Sequence, residues 1–187
     1  MSPPRPSHTG FTLVEVMIGA TLGSIVLAGV MSTFLMLSRS GVSAVNYTTM
    51  DTQTRRALEE FSQDVRMANN VAWNSSSSIT LRVPENYVST GNLVTYTWDN
   101  TSESSTYRCF YRVPGGSTAT TPKTIFVRNV TNFTYYRFNR LNEPTTSNAS
   151  TKRIQIAMTV TSTATTVVTT TAQVVSASYI LRNKPAT

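Results

Sequence analysis

This 187-residue chain lacks most of the residues from which catalytic and metal sites are built. It contains one cysteine, Cys109, and one histidine, His8. A single cysteine excludes a disulfide bond within the chain. The two counts also argue against a Ser-His-Asp triad, a Cys-His pair, a zinc site and a heme ligand set. We therefore predict a protein that is not an enzyme and that needs no cofactor or metal.

Charged residues are also scarce. They make up 13% of the chain, about half of the ~25% found in an ordinary soluble domain. Apolar residues make up 40%, and serine and threonine are abundant. This composition favours a β-rich body that works outside the cytoplasm. The charge that is present is unbalanced, with a formal net charge of +7 and a pI of about 9.9.

Proline is absent between Phe11 and Pro84, and the first part of that interval is strongly apolar. Val16–Leu37 is 22 residues long and has no charge. As a helix it would extend about 33 Å, enough to cross a hydrocarbon core of ~30 Å. A buried core helix is the alternative, but such helices seldom run this far without an ionic residue. The pattern predicts a membrane span.

The segment before the span does not follow the order of a secretory signal. Such a signal has its apolar region before the cleavage site, whereas here the apolar run follows Gly10. Residues 10–18 read GFTLVEVMI. They resemble the signature of type IV prepilins and type II secretion pseudopilins: a short leader ending in glycine, then phenylalanine, then a glutamate five residues into the mature chain, then a membrane span.

The resemblance implies chemistry at three positions. The prepilin peptidase would cut between Gly10 and Phe11, and Phe11 would become an N-methylated amino terminus. Glu15 would pair with the Phe11 amine of a neighbouring subunit during assembly. An ionisable group in an apolar span costs several kcal/mol unless it is paired, which supports that role. The alternative is that Glu15 lies among the lipid headgroups and needs no partner.

The helix is predicted to continue beyond the span as an amphipathic segment. Apolar residues recur there at steps near three and four, namely Met50, Leu58, Phe61, Val65 and Ala68. Charged and amide residues mostly occupy the other face, namely Arg55, Arg56, Glu59, Glu60, Gln63, Asp64 and Arg66. Asn69–Asn70 is a plausible end, since asparagine tolerates the left-handed cap. One helix of about sixty residues is expected.

The apolar period changes from 3.6 to 2 after Asn70. Seven segments rich in Val, Ile, Thr and aromatic residues are predicted as strands: Ile79–Val83, Leu93–Trp98, Tyr107–Val113, Thr124–Val127, Asn132–Asn139, Lys152–Val160 and Thr166–Leu181. In the third, Tyr107, Cys109 and Tyr111 alternate with Arg108, Phe110 and Arg112. Residues 142–150 have no apolar anchor and are expected to form a mobile loop.

These elements predict an α+β fold in which a long N-terminal helix packs on an antiparallel sheet headpiece. Three regions are expected: a leader at residues 1–10, a transmembrane and assembly half of the helix at residues 11–38, and the amphipathic helix half with the extracytoplasmic headpiece at residues 39–187. The leader is placed in the cytoplasm by the resemblance, because the flanking charges barely distinguish the two ends.

The body resembles the PilW-type minor pilins and the J-type pseudopilins. The segments that carry this resemblance are Asp64–Ala68, Val94–Tyr96, Val130–Tyr135 and Tyr179–Asn183. It implies a minor subunit that helps to prime or cap a filament. The implied partners are other major and minor pilins, the prepilin peptidase and an inner-membrane assembly platform. The implied location is the bacterial inner membrane, as a single-pass protein, and then the filament.

Basic residues concentrate in the second half of the chain, where ten Lys or Arg and one acid follow Ser104. Three interpretations stay open: docking onto an acidic neighbouring subunit, DNA capture during uptake, and a solvated basic surface. The candidate contacts for DNA or a partner are Arg108, Arg112, Lys123, Arg128, Arg137, Arg140, Lys152 and Arg153. For DNA, the tyrosines that would stack on bases are Tyr107, Tyr111, Tyr135 and Tyr136.

A polar turn between two predicted strands offers oxygen ligands. Asp99, Asn100, Ser102 and Glu103 would suit calcium, but their spacing matches no dedicated calcium loop, so a solvated turn is the preferred interpretation. A catalytic pair of Asp99 with Glu103 is the enzyme alternative.

Overall fold

A computed structural model describes residues 10–163 and 170–185 and shows one long helix followed by two antiparallel sheets. The predicted α+β class is therefore confirmed. The helix α1 covers Leu13–Met67, and a short 3-10 turn covers Val88–Thr90. The strands are β1 Asn70–Ser75, β2 Ser78–Arg82, β3 Leu93–Asp99, β4 Cys109–Pro114, β5 Thr124–Val127, β6 Val130–Phe138, β7 Arg153–Thr163 and β8 Thr170–Ile180.

The helix α1 has 55 residues, close to the predicted sixty, and ends shortly before Asn69. The chain divides after Val42 into two compact units, residues 1–42 and residues 43–187. The first unit contains the apolar part of α1, and α1 is long and apolar enough to cross a membrane. The second unit contains the amphipathic part of α1 and both sheets.

The strands form two meanders. The first sheet has the order β1-β2-β3-β4-β5, and the second sheet has the order β6-β7-β8. Each neighbouring pair is antiparallel, as expected for strands joined by short connections. The prediction omitted β1, in which Val71 and Trp73 pair with Leu81 and Ile79. Asparagine and serine flank its three apolar residues, so the local pattern is weak.

The predicted third strand needs two corrections. It begins at Cys109 rather than Tyr107, because Arg108 adopts a left-handed φ of 55° that interrupts the extended backbone. Phe110 is fully buried beside the buried Cys109, although the sequence pattern grouped it with the arginines. The pairing of β4 with β5 shifts register between Phe110 and Tyr111, so strict alternation does not hold there.

The core of the second unit joins α1 to both sheets. The Phe61 ring lies 5.1 Å from the ring of Tyr96 in β3, 6.0 Å from that of Tyr135 in β6 and 5.6 Å from that of Tyr179 in β8. Around it, the predicted helical stripe is buried except for half-buried Leu58. The last predicted strand is observed from Thr170 onward, and its residues 166–169 lie outside the described residues.

Candidate functional site

The amino-terminal segment presents the predicted cleavage site on an open stretch of chain. Gly10 and Phe11 precede the first residue of α1, and the Phe11 side chain is 89% exposed. A Cβ added at Gly10 would meet no atom within 4 Å. Packing within this chain therefore does not require a glycine at position 10, and the peptide bond after it is accessible.

The carboxylate of Glu15 closes a capping box with Thr12. Its Oε2 atom accepts hydrogen bonds from the Thr12 backbone N–H and the Thr12 hydroxyl, both at 2.9 Å. The Glu15 N–H donates to the Thr12 hydroxyl at 3.3 Å. The sequence analysis missed this role, although a threonine three residues before a glutamate at the head of an apolar run is its usual signature. Glu15 thus stabilises the start of α1 within one chain.

The apolar part of α1 suits a hydrocarbon environment. Its large side chains are exposed, including Leu27 and Phe34. Three of its hydroxyl groups are satisfied internally: Thr21, Ser24 and Thr33 each donate to the carbonyl four residues earlier, at 3.1, 2.7 and 3.0 Å. A polar group without a partner is costly in lipid, and back-bonding of this kind removes that cost.

A buried carboxylate links α1 to the first sheet. Asp64 was predicted on the polar face of the helix, but it is 3% exposed. Its Oδ2 accepts hydrogen bonds from the hydroxyls of Tyr96 at 2.7 Å and Tyr87 at 2.8 Å. The Arg112 guanidinium lies 3.9 Å from the same oxygen and 2.9 Å from the Glu60 carboxylate. A buried charge is tolerated only with such partners.

The two tyrosines of this network stay protonated at physiological pH. Burial, together with the hydrogen bond to Asp64 and its negative charge, raises the pKa of Tyr87 and of Tyr96 well above the ordinary tyrosine value. Each hydroxyl is therefore a permanent donor to Asp64. The network fixes the helix on the sheet, and it engages Arg112, one of the predicted DNA or partner contacts, within the chain.

The eight predicted basic contacts do not form one cluster. Arg108, Lys123 and Arg128 are exposed on or beside β4 and β5, and the Lys123 ammonium donates to the Thr106 hydroxyl at 3.1 Å. On the second sheet, the Arg137 guanidinium lies 4.6 Å from the centre of the Trp73 ring. Arg112 belongs to the Asp64 network, and the last three line one cleft, namely Arg140, Lys152 and Arg153.

The predicted base-stacking tyrosines are also divided. Tyr135 is a core residue in contact with Phe61 and Phe133, and burial raises its pKa well above the ordinary value. The prediction that Tyr135 stacks on bases is therefore wrong. Tyr107 and Tyr136 are exposed, but they lie in different sheet regions, before β4 and within β6.

The polar turn at Asp99 is held by its own hydrogen bonds. The Asp99 carboxylate accepts from the Thr101 N–H at 2.9 Å and the Thr106 hydroxyl at 2.7 Å. Burial alone would raise its pKa, but bonds from Ser104, Thr101 and Thr106 outweigh burial and lower the pKa to about 2. Among residues 10–163 and 170–185, no group of three His, Cys, Asp or Glu side chains is placed to hold a metal.

Comparison with known proteins connects the amino-terminal features. Residues 5–31 match the family model of the prokaryotic N-terminal methylation motif. No curated protein and no solved structure matches the chain. The matched residues span the predicted cut, Glu15 and most of the apolar segment. They support a structural subunit of the type IV pilin or pseudopilin family, methylated at its amino terminus and anchored in the inner membrane.

Proposed function

We propose that this chain is a minor subunit of a type IV pilus or type II secretion filament and that it helps to prime or cap filament assembly. The observation that carries the proposal is the methylation motif over residues 5–31, which stands at the head of an exposed apolar helix. That helix continues along the chain into an α+β headpiece. Type IV filament subunits need these parts in this order.

Processing is the first step of the proposal. The bond after Gly10 is exposed and precedes α1, so a membrane peptidase can reach it without unwinding the helix. Cleavage would leave the Phe11 ammonium close to the start of α1. That ammonium has no flexible side chain with which to reach the membrane surface, so a carboxylate at the same depth is its most favourable partner.

Glu15 is our candidate for that carboxylate. In the single chain its oxygen is held by Thr12, which stabilises the helix start before assembly. In a filament the Phe11 ammonium of a neighbouring subunit would replace or supplement that contact. A charged pair in a low-dielectric environment interacts far more strongly than one in water. The pair would fix the axial register of two parallel helices.

The two roles of Glu15 can be separated by substitution. Glu15→Gln removes the charge but keeps a capping-box residue, whereas Glu15→Ala removes both. We expect both variants to insert into the membrane and both to be depleted from sheared filaments. Glu59→Gln, an exposed change in the second half of α1, is the matched control and is expected to enter filaments normally.

The distribution of each variant between membrane and sheared filament fractions decides the role of Glu15. If Glu15→Gln enters filaments at the wild-type level and only Glu15→Ala is depleted, the capping box matters and the charge pair does not.

The proposed role as a minor subunit that primes assembly is tested separately, by deletion of the gene. We expect few or no filaments, and normal filament numbers would contradict priming.

DNA capture has less support than subunit docking. Its phosphate contacts require a row of free cations, but Arg112 is engaged by Glu60 and Asp64. The exposed cations are split between the two sheets.

A further inference from the structure

We propose that a basic cleft at one end of the second sheet binds an acidic segment of a partner protein through its carboxylates. The cleft has a volume of about 490 Å³. We call it the basic cleft and define it by its lining residues, Asn139, Arg140, Asn142, Lys152, Arg153, Ile180, Leu181 and Arg182. The inference does not depend on filament assembly, because it concerns only this cleft and its ligand.

The lining carries four cations and no acid. Three are predicted basic contacts, and the fourth, Arg182, comes from the carboxyl-terminal residues and was not among them. The acid nearest in sequence, Glu143, is held outside the lining. Its carboxylate accepts from the Asn139 amide at 3.0 Å, and its N–H donates to the Asn139 side-chain oxygen at 2.9 Å. The lining itself therefore carries a net positive charge, and the Glu143 carboxylate is bonded to one of its residues, Asn139.

The strand register brings these residues together. Arg153 begins β7 and pairs with Phe138 at the end of β6 and with Ile180 at the end of β8. Its guanidinium lies 4.1 Å from the centre of the Phe138 ring, which fixes its orientation. The Arg153 Nε is buried and has no hydrogen-bond partner within the described residues.

Lys152, a lining residue, is held in place by Lys184, a buried lysine outside the lining. The Lys184 ammonium donates to the backbone carbonyls of Asn148, Ala149 and Thr151. The Lys184 carbonyl in turn accepts from the Lys152 ammonium. These bonds anchor residues 148–151, at the end of the segment for which the sequence offered no apolar anchor. Lys152 is therefore held in place before a ligand arrives, which lowers the entropic cost of binding.

The lining chemistry favours a peptide over a nucleic acid. Guanidinium groups bind carboxylates through paired hydrogen bonds. Beside them Ile180 is 60% exposed and offers an apolar contact. A nucleic-acid strand needs cations along a track and stacking platforms. The cleft is a single concavity, and Tyr135 is buried in the core. An acidic segment that also carries an apolar side chain matches the cleft best.

Peptide binding to the full chain tests this inference. The protein is placed in nanodiscs of neutral lipid, and the probe is a fluorescein-labelled peptide of three glutamates and two leucines. Arg153→Gln and the exposed Arg182→Gln are expected to weaken binding roughly tenfold each, the effect of one charged hydrogen bond. Arg128→Gln, an exposed arginine between β5 and β6, is the matched control and should leave the affinity unchanged. A peptide with glutamine in place of glutamate should not bind.

Three results would overturn the proposal. An equal loss in Arg128→Gln would show general charge attraction rather than a site. Binding of the glutamine peptide at the same affinity would exclude carboxylate recognition. Tighter binding of a single-stranded oligonucleotide, abolished by Arg182→Gln, would assign the cleft to nucleic acid. Thermal unfolding of each variant shows whether it is folded, and because Arg182 is exposed, its variant tests the site even if Arg153→Gln unfolds. Filament counts do not enter the measurement, so failure here leaves the proposed assembly role standing.

Discussion

Replacing Asp64 with alanine tests whether the buried carboxylate ties α1 to the first sheet. The Tyr96 and Tyr87 hydroxyls donate to it at 2.7 and 2.8 Å, and the Arg112 guanidinium lies 3.9 Å away. Alanine removes the shared acceptor and leaves the buried Tyr96 hydroxyl, the half-buried Tyr87 hydroxyl and the Arg112 cation without it. We expect a large loss of stability.

The magnitude follows from the contacts. A hydrogen bond to a charged group contributes roughly 1.5–3 kcal/mol, and breaking a buried ion pair by removing one partner costs roughly 3–5 kcal/mol. Arg112 keeps Glu60 at 2.9 Å and the Tyr87 hydroxyl at 3.1 Å, which offsets part of the loss. We therefore expect Asp64→Ala to lower the free energy of unfolding by about 3–4 kcal/mol, and Tyr96→Phe by about 1.5–2 kcal/mol.

Denaturant unfolding of the full chain in nanodiscs measures these values. The two tryptophans, Trp73 and Trp98, both lie in the first sheet, so their fluorescence reports on the headpiece. Asp51→Ala is the matched control on the same helix, because Asp51 forms an exposed ion pair with Arg55 at 3.3 Å. Exposed pairs of this kind contribute about 0.5 kcal/mol or less.

Equal destabilisation by Asp64→Ala and Asp51→Ala would refute the reasoning. The double variant Asp64→Ala with Tyr96→Phe gives a second check. If the hydroxyl and the carboxylate interact, the double variant loses less stability than the sum of the two single variants. Strict additivity would mean that the 2.7 Å hydrogen bond contributes nothing.

Three further changes have defined outcomes. Phe61→Ala removes a fully buried ring that contacts both sheets and should cost about 3–5 kcal/mol in the same unfolding assay. Lys184→Met removes the ammonium that holds three backbone carbonyls. Backbone amide hydrogen exchange should therefore become faster in residues 148–151. Lys123→Met, at an exposed lysine, is the control and should leave that exchange unchanged. The pKa of Asp99 is lowered from 3.8 to about 2, so its contribution to stability is present above about pH 4 and is lost as the pH falls towards 2. Asp99→Asn should remove that part of the pH dependence, and an unchanged acid profile would contradict it.

Features governed by local periodicity were predictable from the sequence. The uncharged run predicts the first half of α1 because no other element accommodates such a length. In β7, Ile154, Ile156 and Met158 alternate with polar or small residues and are all buried as predicted, since both faces of that strand follow the period of two. The capping box of Thr12 and Glu15 was also present in the sequence and was overlooked.

Features governed by tertiary contacts were not predictable. Asp64 follows Phe61 by three residues, so helical spacing allows it to lie near the buried face but does not identify its partners. Its two tyrosine donors are 23 and 32 residues away in sequence, and nothing local indicates that they meet. The basic cleft likewise depends on the register that places Arg153 opposite Ile180, and a count of basic residues carries no such information.

The amino terminus of the mature protein tests the central claim most directly. Mass spectrometry of the N-terminal peptide, taken from native membranes, reports both the position of the cut and the modification. The methylation motif over residues 5–31 and the exposed bond after Gly10 predict a chain that begins at N-methylated Phe11. A mature chain that retains residues 1–10, or that begins at another residue, would contradict the assignment to a prepilin-type filament subunit.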